Sequence, residues 1–167
     1  MSLIDKSIIL LLLGGFWSLP PILTQIEMGG MSLNYQKTNT GIQFEIAAPT
    51  TGWVAVGFND RDAIVHADLL QFKVEDGIVF GEDQYVQAAG VHPNDINLPE
   101  GRNQIRNLKG REENGWTYIS FDLAWESTDP NDFALRPQKP LWLILAYSTS
   151  DDFAHHSRMR QHRSVIW

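Results

Sequence analysis

Cysteine is absent from this chain of 167 residues. The chain therefore cannot form disulfides, thiolate metal sites, iron–sulfur clusters or haem attached through cysteine. It also lacks a basic surface, because 20 Asp and Glu residues outnumber 13 Lys and Arg residues and the net charge is −7. This balance argues against nucleic acid as a partner. The length fits a single domain that is large enough to bury a core.

Catalytic sequence motifs are missing as well. The chain has no nucleophile elbow, phosphate-binding P-loop, dinucleotide fingerprint or HExxH motif. A hydrolytic enzyme would need a nucleophile beside a base, or two carboxylates in one pocket, and no polar cluster has such a spacing. The sequence therefore predicts a binding module and not an enzyme.

The start of the chain has the composition of a targeting segment. Lys6 precedes the apolar run at residues 8–13, and Pro20 and Pro21 follow it. A positive residue, a short apolar stretch and a helix-breaking end are typical of a secretory signal, and the run is too short to span a bilayer comfortably. We predict that residues 1–25 are a signal peptide or an uncleaved membrane anchor, and that the protein is exported to the periplasm, cell envelope or medium. The alternative is a buried N-terminal helix or strand.

Beyond that segment the sequence alternates with the period of β-strands and shows no sustained helical periodicity. Asp76-Gly77 and Asn114-Gly115 each favour a two-residue hairpin turn. Roughly nine or ten short strands at this spacing predict an all-β fold for residues 26–167, either a barrel or, as we predict, an immunoglobulin-like sandwich of two sheets. The predicted strands cover residues 31–37, 41–47, 53–58, 68–75, 78–80, 84–88, 104–109, 116–123, 141–147 and 164–167. The predicted core includes Val54, Val56, Ile119, Phe121, Leu143 and Leu145.

Two separated segments carry the most specific pattern in the chain. The strand that ends with Gly57-Phe58 leads through a polar loop to Ala67-Asp68. Far downstream, three histidines, two of them adjacent, and three arginines fall within residues 155–163. This combination resembles the DOMON domain, the β-sandwich found in relatives of dopamine β-monooxygenase and in the cytochrome part of cellobiose dehydrogenase. The resemblance spans roughly residues 28–167.

The resemblance implies a pocket that holds haem b in many members of the family and a sugar in others. In the haem-binding members, one axial ligand is a histidine at the position of His155 or His156. The other is a methionine in the loop after the GF strand, and that position falls on Ile64, which cannot ligate iron. Because His155 and His156 are adjacent, they point to opposite faces of an extended segment, so at most one enters a given pocket.

Four further residues are candidates for the same pocket. His66 lies two positions beyond the isoleucine, on the same face of an extended segment, so it is our candidate for the second iron ligand. Otherwise it is a solvated loop residue. Arg158 and Arg160 would pair with the haem propionates, or else form a charged strand edge. Trp142 lies on the second apolar face of its strand, which loops or a ligand must cover. The leading prediction is haem-b binding with electron transfer to a redox partner.

The sequence is also compatible with ligands other than haem. Trp53, Trp142 and Tyr147 would equally stack on a sugar ring, which predicts a carbohydrate-binding module instead. An interaction module with an empty pocket is a third class. A divalent ion such as zinc or copper is a fourth. Its candidate ligands are His155, His156, His66, His162, Asp151 and Asp152, and a calcium loop would instead use Asn59, Asp60, Asp62 and Asp68.

The resemblance also predicts a long-range proximity. The loop at residues 59–66 and the segment at residues 153–160 should lie next to each other at one side of the sandwich. About ninety residues separate them, so only the fold could bring them together.

Overall fold

The computed structural model describes residues 24–166, and apart from one 3-10 helix, Asp95–Asn97, their regular structure is entirely β. Ten strands form two antiparallel sheets of five strands each. The first sheet has the order β1-β2-β3-β8-β7 and the second has the order β10-β9-β4-β5-β6. This confirms the predicted all-β sandwich. The strands are β1 (Thr24–Met28), β2 (Met31–Lys37), β3 (Gly41–Ala48), β4 (Val54–Asn59), β5 (Asp68–Glu75), β6 (Ile78–Tyr85), β7 (Arg106–Glu113), β8 (Trp116–Ala124), β9 (Pro140–Tyr147) and β10 (Met159–Ile166).

The core lies between the inner faces of the two sheets. Strands β3 and β8 pair in the first sheet and place Phe44 opposite Phe121, while Val56 of β4 lies opposite Leu145 of β9 in the second. The Phe121 ring contacts Phe44 and Phe72, with ring centroids 5.2 Å and 4.7 Å apart. All six residues of the predicted core are at most 2% exposed. Period-two alternation therefore identifies the inward face of each strand correctly.

The two predicted hairpin turns are also present. Asp76 and Gly77 connect β5 to β6 with φ values of 52° and 76°, and Asn114 and Gly115 connect β7 to β8 with 53° and 79°. Positive φ at both central residues is the signature of the turn whose twist matches that of paired strands.

Several strand boundaries differ from the prediction, and most of the differences lie on sheet edges. The two predicted strands at 78–80 and 84–88 are one strand, β6, because the Gly81 backbone stays in the ladder opposite Phe72. Strand β10 spans Met159–Ile166, of which only the closing residues were bounded by the prediction, and β7 extends to Glu113. Both edge strands are rich in charged residues, so neither has the apolar alternation on which the prediction depends.

The N-terminal prediction lies largely outside the described residues. Strand β1 begins at Thr24, two residues inside the segment predicted as a signal peptide or anchor, and residues 1–23 and 167 are not described. Among residues 24–166, no helix is long and apolar enough to cross a membrane.

Candidate functional site

The outer face of the second sheet is the floor of a cleft of about 850 Å³. The central strands β4 and β9 are apolar on both faces, so one set of side chains packs in the core and the other covers the outside. Ala55, Leu69, Ile144 and Ala146 form this outer layer and line the cleft. Two of these four residues are alanines on adjacent strands, paired with each other, so the middle of the floor is low and leaves space above it.

Loops from opposite edges of the sheet form the two walls. Residues 86–93 follow β6, at one edge, and residues 153–157 precede β10, at the other edge. Arg160 of β10, opposite Ala146 of β9, also lines the cleft. The cleft is therefore apolar below and carries imidazole, amide and guanidinium groups on its sides, the composition of a small-molecule site.

The wall that carries His155 and His156 is held by hydrogen bonds to its backbone. The Trp53 indole Nε1 donates to the His155 carbonyl at 3.2 Å, and the Ser148 hydroxyl donates to the His156 carbonyl at 3.2 Å. Gln71 Nε2 donates to the Phe153 carbonyl at 3.3 Å. These bonds use main-chain oxygens, so they fix the loop without engaging either imidazole. Both histidines are exposed and both line the cleft.

His92, on the opposite wall, was missed by the sequence analysis. Its Nδ1 lies 2.8 Å from Gln84 Oε1, and Gln84 Nε2 in turn donates to Glu82 Oε2 at 2.7 Å. Because the Gln84 nitrogen donates to Glu82, the Gln84 atom that faces His92 is the amide oxygen. His92 Nδ1 must therefore be the donor in the bond between them. In a neutral imidazole the lone pair is then on Nε2, as in histidines oriented to bind a metal. The sequence does offer a sign of His92, a histidine shortly after a predicted strand and in a loop that contains prolines.

Three of the predicted pocket residues lie outside the cleft. His66 is exposed, has a φ of 69°, and its Nδ1 lies 2.9 Å from the Tyr85 hydroxyl. Arg158 is exposed just before β10, and its backbone N–H donates to the Tyr147 carbonyl at 2.8 Å. Trp142 is on the outer face of β9 but beyond the lining residues. The structure thus brings His155, His156 and Arg160 together and leaves these three outside.

Ile64, in the loop after β4, also lies at the cleft. It packs against the same outer apolar layer as Phe153, and both line the cleft. The loop after β4 is also tied to β10, because the His162 Nδ1 lies 2.9 Å from Asp62 Oδ1. Residues 59–66 and 153–160 therefore do contribute to one site, through the isoleucine rather than through His66.

The structure does not group the histidines as a conventional metal site. Among residues 24–166, the sets of three or more potential ligands that approach one another consist of aspartates alone. Asp60 forms an exposed ion pair with Arg61 at 2.6 Å, and Asp68 is buried among other carboxylates. The proposed calcium loop is therefore divided between two environments.

Known proteins share both the sequence pattern and the fold. A model of the DOMON domain family matches residues 28–148, a span that includes the GF strand, Ile64 and Asp68. The cytochrome b domain of pyranose dehydrogenase from Coprinopsis cinerea aligns with a TM-score of 0.61 at 9% identity, covering 86% of this chain and 81% of that one. The cytochrome domain of Myriococcum thermophilum cellobiose dehydrogenase aligns with a TM-score of 0.57 at 9% identity, covering 87% and 79%. The structural matches establish a common sandwich, and the family match over most of the chain shows that it belongs to the DOMON domain family.

Proposed function

We propose that the cleft binds haem b and that the protein is an electron-transfer module without catalytic chemistry of its own. The observation that carries the proposal is the arrangement of three imidazoles, those of His92, His155 and His156, on two opposite walls above an apolar floor. An iron porphyrin needs both features, an apolar surface for the macrocycle and nitrogen ligands for the metal. The similarity in fold to two cytochrome domains supports the same assignment.

One histidine from each wall would ligate the iron. His155 or His156 would serve as the ligand expected from the family resemblance, while His92, oriented by Gln84, would take the role of the methionine that is replaced by Ile64 in this chain. Arg160, which lines the cleft at its β10 edge, would pair with a propionate. Bound haem would supply the one-electron chemistry, and the chain's residues would set its orientation and its exposure to water.

The proposal includes a compartment and a partner. An electron-transfer module needs a donor and an acceptor, so we infer a redox partner that reaches the open side of the cleft. The composition of residues 1–25 supports export, which would place the module in the periplasm, cell envelope or medium.

A histidine scan tests the proposal directly. We expect purified full-length protein to bind hemin with a Soret band that shifts on reduction with dithionite. His92→Ala should weaken hemin binding by about 10–100-fold or more, because the iron loses a ligand, and one of His155→Ala and His156→Ala should do the same. The measurement is an absorbance titration of each variant, followed by reduction.

The chain supplies matched controls for this scan, because it has five histidines and the other two lie outside the cleft. His66→Ala and His162→Ala should bind hemin like the unmodified protein. Unchanged hemin binding in all three cleft variants, or no Soret band in the unmodified protein, would show that the cleft does not hold haem.

Filling the cleft provides an independent prediction. Ala146→Trp should abolish ligand binding, because Ala146 forms the low centre of the floor and is paired with Ala55 and Arg160. The added indole would occupy the space above it with little change in the free energy of unfolding. Ala47→Trp, on the outer face of the first sheet, is the control and should leave binding intact. Binding by equilibrium titration and unfolding by denaturant would measure the two effects separately.

A sugar is the second candidate, supported by the polar side of the cleft. Gln71, Glu82, Gln84 and Gln87 line it and could bond to hydroxyl groups. Few aromatic rings are available to stack on a sugar, since Trp142 and Tyr147 lie outside the lining of the cleft and Trp53 is only 5% exposed. If no hemin binds and a glycan panel gives a ligand whose affinity falls in Ala146→Trp, the carbohydrate function replaces the haem function.

A further inference from the structure

Five aspartates meet at one end of the sandwich, on the inner side of the second sheet and away from the cleft. Asp68 begins β5, Asp83 is in β6, and Asp95 begins the 3-10 helix. Asp129 and Asp132 come from the loop between β8 and β9. Four of them are at most 5% exposed. We call these five residues the aspartate cluster.

Positive charge does not compensate the aspartate cluster within the described part of the chain. None of the ion pairs among residues 24–166 includes any of its five members. Unpaired buried carboxylates are costly, since the charged form loses its hydration without gaining a partner. A feature this unfavourable needs a compensating ligand or proton.

Several oxygens in the cluster are buried without a hydrogen-bond donor. Both carboxylate oxygens of Asp95, which is 1% exposed, have no partner, and the same holds for one oxygen of Asp68 and one of Asp132. The neighbouring amide of Tyr85 faces Asp95, but its hydrogen bond of normal geometry goes to the Pro93 carbonyl, at 3.2 Å. Asp68 and Asp95 are therefore buried acceptors in the cluster, each with at least one oxygen that no donor at hydrogen-bonding geometry satisfies.

Backbone amides hold other oxygens of the cluster in place. Asp68 Oδ2 accepts from the Phe133 amide at 2.9 Å, and Asp83 Oδ2 accepts from the Gln104 amide at 2.8 Å. These bonds orient the two carboxylates from one side. In Asp68 the second oxygen, left without a partner, lies on the side of the cluster. Such an arrangement is typical of ligands positioned by a surrounding shell.

The spacing of the oxygens within each of two triads matches a cation. Two triads, Asp68 with Asp83 and Asp132, and Asp95 with Asp129 and Asp132, each have ligand atoms within 4.8 Å of one another. Two ligands on one ion can be no further apart than twice the metal–oxygen distance, which is about 4.6–5.2 Å for calcium and about 4.0–4.2 Å for magnesium. Asp132 belongs to both triads and would be the shared ligand.

We propose that the aspartate cluster is a binding site for a divalent cation of the calcium class, separate from the cleft and independent of haem. The ligands are all carboxylate oxygens, which favour hard cations over zinc or copper. At the first triad an ion would join β5, β6 and the β8–β9 loop, and at the second it would join the 3-10 helix to that loop. Its role is structural, because no member of the cluster lines the cleft.

The test uses full-length protein without hemin, freed of metal with EDTA and then titrated with Ca²⁺. We expect 1 mM Ca²⁺ to raise the melting temperature at pH 7.5 by about 5–10 °C, and Mg²⁺ to have a smaller effect. Calorimetry at pH 7.5 should show a saturable heat of Ca²⁺ binding with about one ion bound per chain. This second readout needs no variant, so it does not depend on whether a substitution folds.

Asp132→Asn should weaken Ca²⁺ binding roughly 100-fold, because affinity follows the number of charged ligands. Asp76→Asn is the matched control, since it removes one negative charge from an exposed turn where asparagine is favoured, and it should bind Ca²⁺ normally. The proposal is overturned if Ca²⁺ changes neither the melting temperature nor the heat, if Mg²⁺ acts equally, or if Asp132→Asn binds like the control. None of these outcomes depends on hemin binding, so this site and the haem site fail separately.

Discussion

Metal-free protein is expected to lose stability as the pH rises from about 4 to about 8, so that its free energy of unfolding falls by several kcal/mol. The cause is the aspartate cluster, in which burial raises the pKa of Asp83 to about 8 and of Asp95 to about 7, and also raises the pKa of Asp68. In the unfolded chain an aspartate titrates near 3.9. The folded state therefore holds protons that the unfolded state has released, and stability falls as the pH climbs through the folded-state values.

Denaturant unfolding in EDTA at pH 5, 6, 7 and 8 measures this slope. Asp83→Asn should flatten it, because the amide cannot ionise, whereas Asp76→Asn should leave it unchanged. A stability that increases with pH over this range would mean that the cluster is ionised and compensated in the folded protein. Added Ca²⁺, on the proposal above, should restore most of the stability lost at pH 8.

Phe121→Ala is expected to destabilise the sandwich by about 3–5 kcal/mol. The Phe121 ring is 1% exposed and packs between Phe44 of its own sheet and Phe72 of the other, so it bridges the two halves of the core. Its removal leaves a cavity that backbones held in two hydrogen-bonded sheets cannot readily collapse to fill. The measurement is the midpoint of cooperative unfolding in guanidinium chloride.

Phe80→Ala is the matched control for that substitution. Phe80 is 42% exposed on the edge strand β6, where its ring contacts the Lys73 ammonium, so its loss should cost less than about 1 kcal/mol. Equal effects of the two substitutions would contradict a core centred on Phe121.

The central strands of the fold could be predicted from the sequence because their patterns are physically unambiguous. Val54 and Val56 alternate with Ala55 in β4, and a strand with apolar residues on both faces must be covered on both. The Asn114-Gly115 turn is equally specific, since few residue pairs adopt positive φ twice. The ends of the edge strands could not be predicted in the same way, because β7 and β10 are rich in charged residues and lack an alternation of apolar and polar positions.

The site was less accessible to sequence reasoning, for a geometric reason. His155, His156 and Arg160 were found because they lie in one segment that resembles the family. His66 was chosen on the assumption of an extended loop, but its backbone has a φ of 69°, which turns the side chain towards Tyr85. Whether His66 or His92 lines the cleft depends on loop conformations, which the periodicity of apolar residues in the sequence does not predict. The aspartate cluster was missed because its members are 64 residues apart from first to last.

The pairing of β4 with β9 determines when this protein can complete its fold. Val54 lies opposite Tyr147, so the middle of the second sheet cannot form until synthesis has passed β9. Until then β4 has an unpaired edge, and the wall bearing His155 and His156 does not yet exist. Growing chains with such an edge are prone to associate unless other proteins hold them apart. The ligand cleft therefore forms only after the two strands of its floor, more than eighty residues apart in sequence, have paired.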